Sequence, residues 1–401
     1  MNLATLFSIH EEVMATLPTQ RKRYLFDLIR WEAQSICIVG SRGVGKTTMM
    51  CQALRDQYGQ VDKALYLSAD NIYVLSMGLF AIAQEFFKYG GEALFIDEVH
   101  KYPDWSLEIK NIIDTYKTKK VVFSASSALE LKKSKYDLSR RVVYYELYGL
   151  SFREYLAFAH NIMLEPHTLP NILTNHVQLA SKLKPLTILK HFKEYLSYGY
   201  YPFFLEGIAD YSQKVMNIIE KVLYEDIAVT YSLRAETIPA LKKILWLIAT
   251  SNGLSPVIDK ISKNIGVSRE IIYQGFEQLE NAGLIENIYP DAKGMKLIRK
   301  PGKTYIDNTN LLHAAHGKLN SQADIGALRE TFFINQVGSI HGIRLHEHGD
   351  FIIDNKTIIE AGGASKNFKQ IKDQEDAYLA VDGIEIGFGR KIPLYLFGFI
   401  Y

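Results

Sequence analysis

Residues 40–48 read GSRGVGKTT, placing Gly40, Gly45, Lys46 and Thr47 on the pattern G-x-x-x-x-G-K-[ST]. Each residue type answers a physical need. Glycine lets backbone N–H groups curl round a phosphate without a Cβ in the way, and the N-terminus of a following helix adds a positive dipole. The nine residues Gly40, Ser41, Arg42, Gly43, Val44, Gly45, Lys46, Thr47 and Thr48 are therefore the expected phosphate cradle. Lys46 is expected to reach the β- and γ-phosphates and the Thr47 hydroxyl to ligate magnesium. The apolar run SICIVG precedes the loop and a stretch with helical spacing, 46–58, follows it, which is the strand–loop–helix setting the motif requires.

Working outward, the first 150 residues alternate short apolar runs with helical stretches. The expected strands are 35–40, 64–68, 93–97, 121–124 and 142–147, and 72–88 is expected as one helix. Near-continuous apolar strands of this kind suit a parallel sheet covered on both faces, an α/β fold. The run ALFIDEVHKYPDW ends its apolar part in Asp97 and Glu98. Beside a phosphate loop, Asp97 is expected to hold magnesium and Glu98 to polarise the attacking water; read alone, the pair also suits a helix cap. The run VVFSASS (121–127) ends in hydroxyls, and Ser124 or Ser126 is the candidate γ-phosphate sensor, a turn being the other reading. Arg140 and Arg141 precede the fifth strand. One of them is a candidate for offsetting phosphoryl charge on a neighbouring subunit, with a surface ion pair as the alternative.

The chain has 401 residues, 48% hydrophobic and 22% charged, the balance of a folded protein of two to four domains. Lys and Arg (46) nearly cancel Asp and Glu (44), which excludes a polybasic anion binder but not a local basic patch. Two cysteines, Cys37 and Cys51, are too few for a disulfide framework or a cysteine zinc site. The start, MNLATLFSIHEEVMATL, has no signal-peptide pattern, and no run has the length of a membrane span. A cytoplasmic protein without membrane contact is expected.

From 151 to 235 the pattern is helical and tyrosine-rich, a helical lid or linker. Residues 236–318 carry three helical stretches (239–250, 257–264, 269–282), with Ser268 placed as an N-cap, then a hairpin-like segment. That order suits a winged helix-turn-helix. Lys293, Lys296, Arg299, Lys300 and Lys303 give the wing five positive charges with no acid between them, a candidate contact to DNA phosphates. The third helix, with Glu270, Glu277 and Glu280 against Arg269, suits a packing or protein-binding role equally well. Residues 319–401 return to short β-like runs, DFIID, KTIIEA and IPLYLFGFIY.

The stretches GSRGVGKTT, LFIDEVHKYPDW, FSASSALEL and SRRVVYYELYGLSFREYL resemble a prokaryotic AAA+-type (P-loop) ATPase family in which such a domain is joined to a C-terminal region of unknown function. The resemblance implies a P-loop NTPase fold, ATP at 40–48, magnesium and water activation at Asp97 and Glu98, a sensor at Ser124 or Ser126, and an arginine finger at Arg140 or Arg141. The family usually has Thr-Gly-Ser-Ser where this chain has SASS at 124–127. In the tail, Glu330, Asp350 and Glu360 resemble a restriction-endonuclease-like fold, but the lysine expected two residues after Glu360 is Gly362. A non-catalytic domain is expected there, with Lys366 or Lys369 the only lysines placed to migrate into the site. The reading is thus an ATP-hydrolysing enzyme using ATP and Mg2+, possible as a homo-oligomer. A nucleotide-gated DNA-binding adaptor is the first alternative and a metal-dependent nuclease the second.

Overall fold

The fold comes from a computed structural model describing residues 3–18, 20–59, 62–125, 138, 140–234, 237–291 and 301–401. It divides into two compact units, Met1–Gly149 and Leu150–Tyr401.

In the first unit, β1 (Ser35–Val39), β2 (Ala64–Ser68), β3 (Ala93–Asp97), β4 (Lys120–Ala125) and β5 (Val143–Glu146) form one sheet in the order β2-β3-β4-β1-β5. Every pairing is parallel. β1 and β3 are buried along their whole length, the burial that an apolar run without alternation requires of a two-sided parallel sheet. Helices α1 (Ala4–Ala15), α2 (Lys46–Tyr58), α3 (Ile72–Met77), α4 (Leu79–Lys88) and α5 (Trp105–Thr115) accompany the sheet. Leu79, Ile82 and Phe86 of α4 and Trp105 and Ile109 of α5 join Leu65, Leu94, Ile96 and Phe123 of the strands in one core. Each such side chain contributes roughly 1.5–3 kcal/mol on burial. β2 is an edge strand, and α1 covers it: buried His10 accepts the Tyr66 N–H on Nδ1 at 2.9 Å.

The single helix expected over 72–88 is two. Gly78, at φ 86 and ψ 138, separates α3 from α4. A residue in that region cannot continue a right-handed helix, and glycine adopts it without a Cβ clash. Cys37 and Cys51 are both fully buried, and burial pushes both thiols far above the ordinary range, so they act as small apolar side chains.

The second unit opens with α6 (Phe152–His160), α7 (Leu169–Leu183), α8 (Ile188–Tyr198) and α9 (Tyr211–Lys221). α9 runs on through a π-helical stretch, Val222–Ile227, to Thr230. A full capping box starts α6: the Ser151 hydroxyl accepts the Glu154 N–H, and the Glu154 carboxylate accepts the Ser151 N–H. Then come α10 (Ile238–Ala249), α11 (Ile258–Ile265) and α12 (Arg269–Asn281). Ser268 caps α12 by accepting the Ile271 N–H. Antiparallel β6 (Ile285–Ile288) and β7 (Lys303–Ile306) follow, with a lone bridge from Leu254 to Thr304. After α13 (Thr309–Lys318) and α14 (Ile325–Gly338) comes a second sheet, β12-β11-β10-β9-β8. It is built from β8 (Ile343–Leu345), β9 (Phe351–Ile353), β10 (Thr357–Gly362), β11 (Ala377–Val381) and β12 (Lys391–Pro393). The β-like run IPLYLFGFIY is a strand only at its start. Leu394–Phe399 is a buried 3-10 helix, because four consecutive large apolar residues, Leu394 to Phe397, and then Phe399 are enclosed on all sides rather than on two faces.

Candidate nucleotide site

β1 ends at Val39 and α2 begins at Lys46, so the loop between them crosses the end of the sheet. Gly40 must be glycine for space: a Cβ there would lie 2.2 Å from the Leu147 carbonyl oxygen. Gly45, the N-cap of α2, sits at φ 97 in the left-handed region and carries no side chain to cap the first turn. A loop that closes on a helix start with no side-chain cap is a cradle for an anion.

The Lys46 side chain is 4% exposed. Its ammonium donates to the carbonyls of Gly40 at 2.8 Å and Ser41 at 3.2 Å, folding back across the loop. Thr47 Oγ1 donates to Asp97 Oδ2 at 2.5 Å, which unites the loop with the end of β3. Tyr66 adds a second hydroxyl to the same oxygen at 3.2 Å. Ser124, at the end of β4, donates to Asp97 Oδ1 and accepts the Glu98 N–H at 3.0 Å. The sheet order explains the grouping, because β4 lies between β1 and β3 and carries Ser124 into the space between loop and acid.

Glu98 follows β3 in a left-handed conformation, φ 53, unusual for a residue with a Cβ. Its Oε2 lies 3.5 Å from His100 Nε2 and 3.4 Å from Lys101 Nζ. Burial pushes its carboxyl up, but the charges of Lys46, His100, Lys101 and Arg42 together outweigh that and hold it below its ordinary value. Lys101 in turn is held by Asp70 at 2.6 Å. The result is an ionised carboxylate next to a hydroxyl–carboxylate pair, a set of hard oxygen donors suited to magnesium.

Arg23 is a member of this region that motif reading missed. It is 4% exposed, and its guanidinium donates to the Val44 carbonyl in the loop and to the carbonyls of Tyr148 at 2.8 Å and Gly149 at 2.9 Å. No pattern marks it, because it acts through backbone oxygens contributed by segments 21 and about 125 residues away.

The remaining candidates divide. Arg141 is spent within the domain, its Nε 2.7 Å from Asp114 Oδ1, while Arg140 is exposed. Ser126, Lys293, Lys296, Arg299 and Lys300 lie outside the described residues. Lys303 Nζ lies 3.5 Å from Glu330 Oε2, so its charge is already opposed by an acid rather than offered to a phosphate. On α12, Arg269 pairs with Asp259 at 2.5 Å, leaving Glu270, Tyr273, Gln274 and Glu277 on the exposed face.

In the C-terminal sheet, Lys366 pairs with Glu360. A Cβ at position 362 would lie 2.7–2.8 Å from the Lys366 stem, so Lys366 fills the space beside Gly362. Glu360 is 1% exposed. Burial raises its pKa, opposed by Lys366 and reinforced by Asp350. Asp350 accepts the Ala361 N–H at 2.9 Å, and Tyr305 donates to Glu330 at 2.5 Å.

Residues 32–156 match a family model described as an AAA domain, and residues 189–322 match a domain of unknown function (DUF8612). The uncharacterized protein MJ1637 of Methanocaldococcus jannaschii is 25% identical over 418 residues, covering 95% of this chain and 88% of that one. Among solved structures, AMPPCP-bound DnaA from Aquifex aeolicus is 17% identical over 69% of this chain and 87% of that chain, with a TM-score of 0.27. The S. cerevisiae Hsp104–ADP complex is 16% identical over 70% and 39%, with a TM-score of 0.26. Among the described residues, no helix is long and apolar enough to cross a membrane. The five-stranded parallel sheet and the loop at the end of β1 give residues 32–156, the part that matches an AAA domain, a P-loop NTPase fold.

Proposed function

We propose that the chain binds ATP with Mg2+ at the loop of residues 40–48 and hydrolyses it. The observation that carries this reading is the Thr47–Asp97 hydrogen bond, which aligns the hydroxyl that follows Lys46 with the acid at the end of β3 and leaves Glu98 next in line. Magnesium would offset the negative charge of the phosphates there. The Thr47 hydroxyl and Asp97 carboxylate are the groups that would hold it. Lys46 exchanges the carbonyls of Gly40 and Ser41 for phosphate oxygens, gaining a charged partner for two neutral ones. Glu98, kept ionised by its cationic neighbours, takes the proton of the attacking water. Ser124 fixes both acids through one hydroxyl. The exposed Arg140 supplies charge to the site of an adjacent copy in a homo-oligomer.

In the second unit, three helices, a two-stranded sheet and the Leu254–Thr304 bridge support a winged-helix reading of residues 236–318. The acid-rich exposed face of α12 favours a protein-contacting module over a reader of the major groove. The sealed Glu360–Lys366 pair favours a structural role for the C-terminal sheet, since metal catalysis needs a carboxylate that solvent can reach.

The test is ATP turnover measured with and without duplex DNA, on the wild type and Glu98→Gln. Turnover by the wild type that Glu98→Gln abolishes while nucleotide binding persists supports the ATPase. Equal turnover in the two proteins removes the assigned base. DNA stimulation would restore the DNA-binding alternative.

A further inference from the structure

A second cluster of chemistry-bearing side chains lies in the unit Leu150–Tyr401, which contains none of the nucleotide-site residues. His160 is the last residue of α6, which Asn161 ends in the left-handed conformation at φ 57. His191 and Glu194 stand three residues apart on α8, hence on one face of that helix. The two imidazole rings lie 3.9 Å apart between centroids, tilted by 40°. His160 Nε2 is 3.5 Å and His191 Nδ1 3.2 Å from the same carboxylate oxygen, Glu194 Oε2. One ligand atom from each residue falls within 4.8 Å of the other two.

We propose that His160, His191 and Glu194 bind a divalent transition-metal ion of the zinc class, which joins the end of α6 to α8. Zinc bonds of about 2.0–2.1 Å at tetrahedral angles set neighbouring ligand atoms roughly 3.3 Å apart. The observed separations of 3.2 and 3.5 Å bracket that value. Among the described residues, buried His160 Nε2 has no hydrogen-bond partner, a polar atom that burial leaves costly unless something takes its lone pair. The side chains of His160, His191 and Glu194 are 29%, 14% and 25% exposed, so an ion can enter from solvent. Two imidazoles and one carboxylate select zinc or its transition-metal neighbours over magnesium, and three protein ligands leave one position open. Lys190 is the charge acting against the ion from outside the triad, and the Glu194 carboxylate offsets it.

The experiment is calorimetric titration of the full chain with ZnCl2 in saturating MgCl2, which occupies the nucleotide site's hard-oxygen donors and keeps the two sites separate. The variants are His160→Asn, His191→Ala and Glu194→Gln. One equivalent of Zn2+ is expected, weakened at least about 10–100-fold by each substitution, with a zinc-dependent rise in melting temperature seen only in the wild type. Co2+ should give the visible bands of tetrahedral coordination in the wild type and lose them in the variants. Metal-free melting curves and far-UV circular dichroism identify a variant that has merely misfolded, in which case the remaining two decide. Zinc binding of equal affinity in wild type and folded variants overturns the proposal, as does wild type with no zinc-binding equivalent.

Discussion

The Ser124 hydroxyl donates to Asp97 Oδ1 across the β3–β4 pairing, and Ser124 Oγ in turn accepts the N–H of Glu98 at 3.0 Å. One fully buried side chain thereby sets the positions of both acids. Ser124→Ala removes one contact from Asp97 Oδ1 and one from the Glu98 N–H, which stay paired with each other at 3.2 Å, a cost of about 0.5–1.5 kcal/mol per lost hydrogen bond. Because neither Lys46 nor Thr47 is touched, nucleotide affinity should hold while kcat falls about 10–100-fold, the range found for residues that orient a ligating group. Steady-state kinetics check this: a rise in KM with kcat unchanged would mean Ser124 serves binding instead.

Glu98→Gln should keep nucleotide binding and lower kcat about 10²–10⁴-fold, the range supplied by a positioned general base. The pH profile carries a second check. A base works deprotonated, and the net effect of Lys46, His100, Lys101 and Arg42 holds the Glu98 carboxyl below its ordinary value of 4.5. The acid limb of kcat/KM should therefore lie below pH 4.5 rather than above it. A Lys101→Gln variant removes one of the cations and should move that limb upward. A limb that stays in place would mean another group controls it.

Lys46→Ala should weaken nucleotide binding about 10–100-fold, from the loss of a charge-assisted contact worth about 1.5–3 kcal/mol. Equilibrium binding of a fluorescent ATP analogue measures it. The free protein should be affected less. Its Lys46 ammonium donates to the loop carbonyls of Gly40 and Ser41, and these can turn to water once the side chain is gone.

Arg23→Met should destabilise the first unit by about 2–3 kcal/mol, since the carbonyls of Val44 and Gly149 in buried bonds, and that of Tyr148 in a half-buried one, each lose a donor worth about 1 kcal/mol or more. Arg23→Lys should recover only part, because one ammonium cannot reproduce the planar fork. Thermal unfolding with and without ATP separates the two consequences. A loop that has lost its strut should show a smaller nucleotide-induced shift as well as a lower midpoint.

How far these features were legible differs residue by residue. The loop, Asp97 and Glu98 were readable because their chemistry depends on local spacing, and β2 and β3 because buried parallel strands are apolar without interruption. The break at Gly78 was invisible to periodicity, since residues on both sides keep helical spacing and only the glycine's φ changes. Arg23 lies outside every motif, and its partners are main-chain oxygens that no side-chain pattern encodes. The lysine beside Glu360 comes from position 366 rather than 362, a substitution in space that only the turn after β10 reveals. His160 and the His191–Glu194 pair are about thirty residues apart, joined by helix packing alone.

Arg140 and Arg141 are adjacent in sequence and opposite in environment, and that difference makes the finger testable. Arg141 is already paired with Asp114, which Lys110 also approaches at 3.1 Å, so moving it to another subunit would strip that acid of one of its two partners. Arg140 is exposed, and among the described residues it has no such tie to break. Arg140→Ala should therefore lower turnover strongly and Arg141→Ala only modestly. A finger acting in trans makes a further demand. A Glu98→Gln subunit still offers an intact Arg140, and an Arg140→Ala subunit still offers an intact Glu98. Mixing the two inactive variants should restore turnover at the interfaces that combine them, rising with total protein concentration. If each variant is inactive alone and the mixture stays inactive while light scattering shows assembly, Arg140 does not act on a neighbouring site.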